Sequence, residues 1–269
     1  MLYLVCTPIG NLKDITYRAV EVLKEVSLIL AEDTRRTLLL LGAYDIQKPM
    51  LSYQKFNERA RTEEIVARLS AGEDIALVTD AGTPLISDPG AVLLSRVIEE
   101  GLPYTLVGSA CAFVSAAVLS GFSLRTFAFG GFLPEKAGAR EKYLKGFIGY
   151  AGAVAFYLSP HSLDEELQSL YEAFGARRAV LVREISKKFE ECIRFTLGER
   201  PDFTEKGEYV LVLEGKAEES EKNALSVQDH IKAYMGEGLS KKEAVKRVAA
   251  DRKLPKSEIY RVALGIEDD

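Results

Sequence analysis

Along the first 120 residues, short apolar runs alternate with amphipathic ones. Residues 3–6, 27–31, 50–53, 75–79 and 104–107 read as strands, the fourth of them apolar on both faces. Between them, residues 14–26, 34–41, 58–71, 90–100 and 111–120 read as helices. In 14–26 the apolar face is Ala19, Val20, Val22, Leu23 and Val26. Gly42, Gly72 and Gly101 close three of the others. The last, 111–120, is made of small apolar residues and is expected to be buried. Strand–helix alternation of this kind specifies a parallel sheet with helices on both faces. Ligands of such sheets sit beyond the carboxyl ends of the strands.

The rhythm breaks at residues 120–134, SGFSLRTFAFGGFLP, where a domain boundary is placed. Beyond it, strands are expected at 153–158, 179–183, 192–197 and 209–213, with one clear helix at 162–174 closed by Gly175. Two strands in succession without a helix predict a mixed sheet with an antiparallel part. Residues 214–221, EGKAEESE, read as a polar linker to a small helical tail. In that tail Ser226 with Asp229 resembles a capping pair, and Ser240 with Glu243 a capping box. The tail is a packing or dimer element, or a helix-turn-helix reader. The expected domains are therefore 1–120, 121–217 and a tail from 218 to 269.

Composition narrows the classes. With 269 residues, 47% hydrophobic and 28% charged, the chain suits two packed domains. No apolar run has the length a bilayer requires. Residues 1–11, MLYLVCTPIGN, turn at once into a strand and turn, which argues against a signal peptide. Three dispersed cysteines suit a reducing, cytoplasmic setting, and two histidines are too few for a zinc site, so no metal is expected. A net charge of −5 argues against gripping nucleic acid over the whole surface. Residues 222–261 nevertheless hold ten Lys or Arg against five Asp or Glu, either a local basic face or a solvated helical surface.

The chemistry is sought in the loops after strands. Thr7-Pro8-Ile9-Gly10-Asn11 fixes a turn at Pro8 and lets a ligand approach at Gly10. Glu32-Asp33-Thr34-Arg35-Arg36 combines carboxylates fit to handle a proton with arginines fit to hold phosphate; a capped helix start is the plainer reading. Residues 79–90, TDAGTPLISDPG, hold more turn-forming and polar residues than a simple turn needs, and imply a shaped ligand cradle. Asp80, at its start, suits a ribose hydroxyl or an amine. Gly108-Ser109-Ala110-Cys111-Ala112 permits close approach of a flat ligand or of a helix. Ser159 and His161 are too close in sequence for a hydrolase triad, and no GxSxG elbow exists.

In combination, TPIGNLKDIT, AEDTRRT, LVTDAGTPLISDPG, YLSPH, REISKKFEE and KGEYVLVLEG resemble the tetrapyrrole methylase superfamily. Within it the likeness is to the branch that methylates a cytidine ribose 2′-oxygen in 16S ribosomal RNA. The resemblance runs from Leu2 to about Gly215. It implies two α/β domains with S-adenosylmethionine (SAM) in the cleft between them, a homodimer and a 16S rRNA substrate. Pro8, Gly10, Asp80, Ala81, Gly82, Thr83 and Ser87 would line the cofactor cleft, with Ser109 and Ala110 in the next loop and Tyr157 and the strand near Leu213 completing it. The chain departs from the family at Cys6, usually proline, at Gly108–Cys111, usually Pro-Gly-Pro-Ser, and at Ser162, commonly arginine.

On that resemblance Asp33 is the first candidate to take the hydroxyl proton and Asp88 the second. Arg35, Arg36, Lys136, Arg140 and the basic tail would hold the RNA. An acidic enzyme of this kind is expected to prefer an assembled small subunit. A small-molecule methylase on the same fold and a non-catalytic SAM-binding protein are the alternatives.

Overall fold

A computed structural model describes residues 1–216, 225–252 and 254–266, so residues 217–221 of the expected linker lie outside the described residues. The chain divides into two compact units, Met1–Lys216 and Ala217–Asp269.

The first sheet of the larger unit is parallel throughout. It comprises β1 (Leu2–Val5), β2 (Leu28–Ala31), β3 (Met50–Ser52), β4 (Ile75–Val78) and β5 (Tyr104–Val107), in the order β3-β2-β4-β1-β5. Every residue of β2 and β4 is buried, as continuous apolar runs in a sheet covered on both sides require. On one face Leu28, Leu30 and Leu77 meet Ile65 and Leu69 of α3 (Glu58–Ser70) and Leu93 and Val97 of α4 (Ala91–Glu99). On the other, Ile29, Ala31, Ala76 and Val78 meet α1 (Tyr17–Glu25) and Leu41 of α2 (Thr34–Gly42). The helix expected at 14–26 begins instead as a 3-10 turn, Leu12–Asp14, followed by α1. Thr16 restarts it by accepting the Ala19 amide at 3.1 Å.

The second sheet is mixed, as two strands in succession predict. Its order is β6 (Phe127–Phe132), β7 (Ala153–Leu158), β10 (Tyr209–Leu213), β8 (Arg178–Arg183) and β9 (Glu191–Thr196). Only β6 and β7 run parallel; the other pairs are antiparallel. Helices α6 (Ala137–Leu144) and α7 (Leu163–Phe174) cover one face through Leu144, Leu163 and Leu170. The other face, with Ala155, Val180, Val182, Val210 and Val212, packs on Ile9 and on Ala116 of α5 (Ala112–Ser120). Helix α5 therefore rests on the second sheet, although it follows the last strand of the first. Only Ala116, Ala117 and Ser120 of it are buried, whereas Val114 and Val118 are exposed, so it is not the fully buried helix its composition suggests.

Residues 120–134 contain a strand, β6, that the sequence pattern does not reveal. Gly130 and Gly131 interrupt it, and a Cβ on Gly130 would sit 2.3 Å from the Phe156 ring.

The smaller unit holds α8 (Val227–Gly236), α9 (Lys241–Asp251) and α10 (Lys256–Ala263) around Ile231, Val245, Val248 and Ile259. Ser226 accepts the Asp229 amide at 3.1 Å, and Ser240 with Glu243 forms a complete capping box. Among the described residues no helix is long and apolar enough to cross a membrane.

Candidate functional site

Beyond the carboxyl ends of β1, β2 and β4 lies a cleft of about 440 Å³. The first sheet contributes Ile9, Glu32, Arg36 and most of the segment from Asp80 to Asp88. Cys111 and Ala112 enter from the start of α5. Phe132, Tyr157–Pro160 and Gly207–Val210 come from the second sheet and its loops.

The loop after β4 is built for this position. Thr7 and Gly82 exchange backbone hydrogen bonds at 2.9 and 3.1 Å, and the Thr7 hydroxyl donates to the Thr79 carbonyl at 3.1 Å. This stitches the turn after β1 to the cradle. Within the loop Leu85 and Ser87 both have φ of +70°, a left-handed conformation that costs a non-glycine residue about 1–2 kcal/mol. Such strain collects at ligand sites when the surroundings enforce it. Gly90, at φ +131°, closes the loop; a Cβ there would lie 2.7 Å from the Leu77 side chain.

Asp88 is free to face the cleft because it does not cap the following helix. The amides of Gly90 and Val92 at the start of α4 donate instead to buried Glu58 of α3, at 2.9 and 3.1 Å. Burial raises the Asp88 carboxyl to about 7, reinforced by the charges of Glu32 and Asp80, while a hydrogen bond from Thr79 opposes the rise. Glu32 is raised in the same way, first by burial and then by Asp80. Asp80 organises the neighbouring turn: it accepts the Asp33 amide at 3.1 Å and pairs with Arg36 at 3.2 Å.

Asp33 has a different place. It is the N-cap of α2, accepting the Arg35 amide at 2.9 Å, and the Arg35 guanidinium grips both its oxygens at 3.1 and 2.8 Å. Those bonds lower its carboxyl to about 2. Neither Asp33 nor Arg35 lines the cleft.

The structure brings Asp80, Ala81, Gly82, Thr83, Ser87, Asp88, Tyr157 and Arg36 together there. It places the remaining expected residues elsewhere. Pro8 gives way to Ile9. Gly10 serves close packing of the chain on itself: a Cβ would meet the Lys187 side chain at 2.4 Å and the Ile185 carbonyl at 2.9 Å. Ser109 donates to the Asp14 carbonyl at 2.9 Å, and Cys111 and Ala112 reach the cleft in place of Ser109 and Ala110. Leu213 is wholly buried, and the beginning of β10 with the residues before it lines the cleft instead. Lys136 is exposed outside it, at the start of α6. Arg140 is 4% exposed; its Nε donates to Ser169 at 2.9 Å, tying α6 to α7, so it is no surface contact for RNA.

Gly207–Val210 belong to the KGEYVLVLEG stretch, which the sequence brings to the cleft through Leu213 rather than through its beginning, and Phe132 belongs to none of the quoted motifs. Phe132 packs on Tyr157 at 5.1 Å between ring centroids, and Phe129 on Tyr157 at 4.8 Å, giving the cleft an aromatic wall. The signal available was the aromatic alternation in FAFGGF. Burial drives the Tyr157 hydroxyl well above the usual tyrosine range. Among the described residues no group of three or more His, Cys, Asp or Glu side chains is placed to hold a metal ion.

The model of the family described as "Tetrapyrrole (Corrin/Porphyrin) Methylases" matches residues 1–201. The chain belongs to the tetrapyrrole methylase family. Similar members include proteins named ribosomal RNA small subunit methyltransferase I. That of Halalkalibacterium halodurans is 40% identical, over 97% of this chain and 93% of its own. That of Synechocystis is 39% identical, over 100% and 99%. Among solved methylase structures, CobJ superposes with a TM-score of 0.61 at 17% identity, covering 80% of this chain and 94% of its own. The uroporphyrin-III-C-methyltransferase of Thermus thermophilus does so at 0.54 and 18%, covering 79% and 93%. At those identities the likeness is one of fold.

Proposed function

We propose that this tetrapyrrole methylase transfers a methyl group from SAM to the ribose 2′-hydroxyl of a cytidine in 16S rRNA. The observation that carries the reading is Asp88: a part-buried carboxyl on the cleft wall, raised to about 7 and not spent on capping a helix. A general base works best when its pKa lies near the working pH. A carboxyl raised toward neutrality by burial and the neighbouring acids is suited to accept a hydroxyl proton there.

The residues present fit SAM. The cleft volume lies within the range of ordinary ligand sites. Glu32, Asp80 and Asp88 make its rim acidic, as a cationic ligand requires, and Ile9, Ile86, Tyr157 and Leu158 offer apolar surface. Asp80 through Thr83, Ser87 and Tyr157 would hold it. When bound, it supplies an activated methyl group, so much of the rate enhancement is positioning. Thr7, Gly82 and Glu58 keep the loop rigid enough to provide that positioning, and Asp88 removes the proton. Arg36, which lines the cleft and is 69% exposed in its side chain, is a cation placed to meet a phosphate.

The name that the relatives carry, ribosomal RNA small subunit methyltransferase I, supports the ribosomal substrate. A net charge of −5 favours the assembled small subunit, where shape replaces bulk attraction. Exposed Tyr104 and Leu106 on edge strand β5, with Val114 and Val118 on α5, support a homodimer. The test is incubation of unmodified small subunits with labelled SAM, followed by alkaline hydrolysis. The expected result is label in an alkali-resistant dinucleotide of 16S rRNA. Label on a base, or no label in the RNA, contradicts the reading.

A further inference from the structure

We infer that Phe56 is a base-stacking residue that positions single-stranded RNA at the cleft, with Lys55 and Arg59 holding the flanking phosphates. This rests on the proposed RNA substrate.

Phe56 is 97% exposed, the most exposed of the large apolar side chains among the described residues. An apolar ring left in water on a loose loop would mean little. This loop is fastened on both sides to the cleft. Two residues before Phe56, the Gln54 side chain donates to the Glu32 carbonyl at 2.9 Å. Two residues after it, Glu58 receives the Gly90 amide at 2.9 Å, two positions beyond Asp88. Asn57 closes the turn by accepting the Gln54 amide at 2.8 Å and donating to the Ser52 carbonyl at 3.2 Å. The backbone that carries Phe56 is thus bound to the segments bearing Glu32 and Asp88, while the ring itself touches solvent.

The chemistry of the neighbours selects the ligand. Lys55 and Arg59 are both exposed, and neither is ion-paired among the described residues. An unstacked base offers a flat face, and its backbone offers phosphates on either side. Aromatic rings flanked by cations recognise that combination. A target ribose must be drawn out of its surroundings to reach a cleft, and stacking a neighbouring base on a fixed ring holds it there.

The test uses the full chain, unmodified small subunits and saturating SAM. Phe56→Ala and Phe56→Leu are expected to raise KM for subunits roughly 5- to 150-fold. Phe56→Tyr and Phe56→Trp are expected to stay near wild type. Calorimetric SAM affinity and Tm should not move in any of them, because the ring has no packing to lose. Lys55→Ala and Arg59→Ala should each flatten the salt dependence of KM. A p-benzoylphenylalanine at position 56 should cross-link to 16S rRNA. A KM unchanged in Phe56→Ala, rescue by leucine as good as by tyrosine, or a cross-link to a ribosomal protein would overturn the inference while leaving the functional reading intact. Wild-type enzyme that does not methylate small subunits would overturn both.

Discussion

The turn after β2 and the loop after β4 lie at the ends of neighbouring strands, and each offers an aspartate. Asp33 sits at the start of a helix with Arg35 folded over it, and is held at about 2. Asp88 sits against two other carboxylates in a part-buried wall, and is raised to about 7. Both segments are polar, follow an apolar strand and offer a carboxylate fit to handle a proton. What separates them is who satisfies the helix that follows. In the first, the aspartate itself caps α2. In the second, Glu58 reaches over from α3 to cap α4, leaving Asp88 without that stabilisation. A carboxylate engaged in capping and ion pairing is a poor base, whereas one denied those partners becomes a good one.

The largest effect expected from this contrast is catalytic. Asp88→Asn should lower kcat/KM on small subunits about 10²- to 10⁴-fold, with SAM affinity by calorimetry changed far less. Asp33→Asn should leave kcat within a few-fold of wild type. An equal loss in both variants would erase the distinction.

The next effect is on the backbone that shapes the second region. Gly90→Ala forces a Cβ into Leu77 and Leu85 at a φ that only glycine adopts readily. It should destabilise by about 2–4 kcal/mol in urea unfolding. Glu58→Ala strips both amides of their shared acceptor and should cost about 1–3 kcal/mol.

A smaller effect concerns stability against pH, where the two aspartates act with opposite sign. The folded pKa of Asp88 is raised from 3.8 to about 7, so the folded state binds more protons than the unfolded chain between those values. Its contribution to stability therefore falls as pH rises through that window. Asp88→Asn should be more stable than wild type at pH 8, on the order of 2 kcal/mol after allowing for the part of the carboxylate that water still reaches, and indistinguishable near pH 4. The folded pKa of Asp33 is lowered, so its stabilisation is present above 3.8 and is lost as pH falls toward 2. The smallest effect is Asp33→Asn at neutral pH, a drop in Tm of a few degrees at most.

The contrast also marks how far the sequence could be read. Strands β2 and β4 are apolar at every position because the sheet is covered on both faces, so their run of hydrophobic residues announces them. The cradle after β4 is legible from its density of Gly, Pro, Asp and hydroxyl residues. Strand β6 is not, because Gly130 is there to admit the Phe156 ring and breaks the period. Nor is short α6 legible, since only Arg140 and Leu144 of it are buried. In the site, Asp33 and Asp88 each follow an apolar strand just before a helix, and the choice between them depends on Glu58, some thirty residues before Asp88, which takes over the capping of α4. The KGEYVLVLEG stretch is legible as part of the site, but that its beginning, Gly207–Val210, and not Leu213 reaches the cleft, and that Phe132 joins it, depends on packing of the second sheet. Arg140 reads as a surface cation, yet its burial against α7 turns it into a clamp.

The most direct test of Asp88 as the base is the single-turnover rate of methyl transfer to unmodified small subunits as a function of pH. For wild type the rate should rise about tenfold per pH unit and level off near pH 7, the value that burial and the neighbouring acids give the carboxyl. In Asp88→Asn that inflection should vanish, leaving a slow rate without it, while Asp33→Asn keeps it. A wild-type rate that is flat from pH 5.5 to 8, or an inflection that survives in Asp88→Asn, would contradict the assignment.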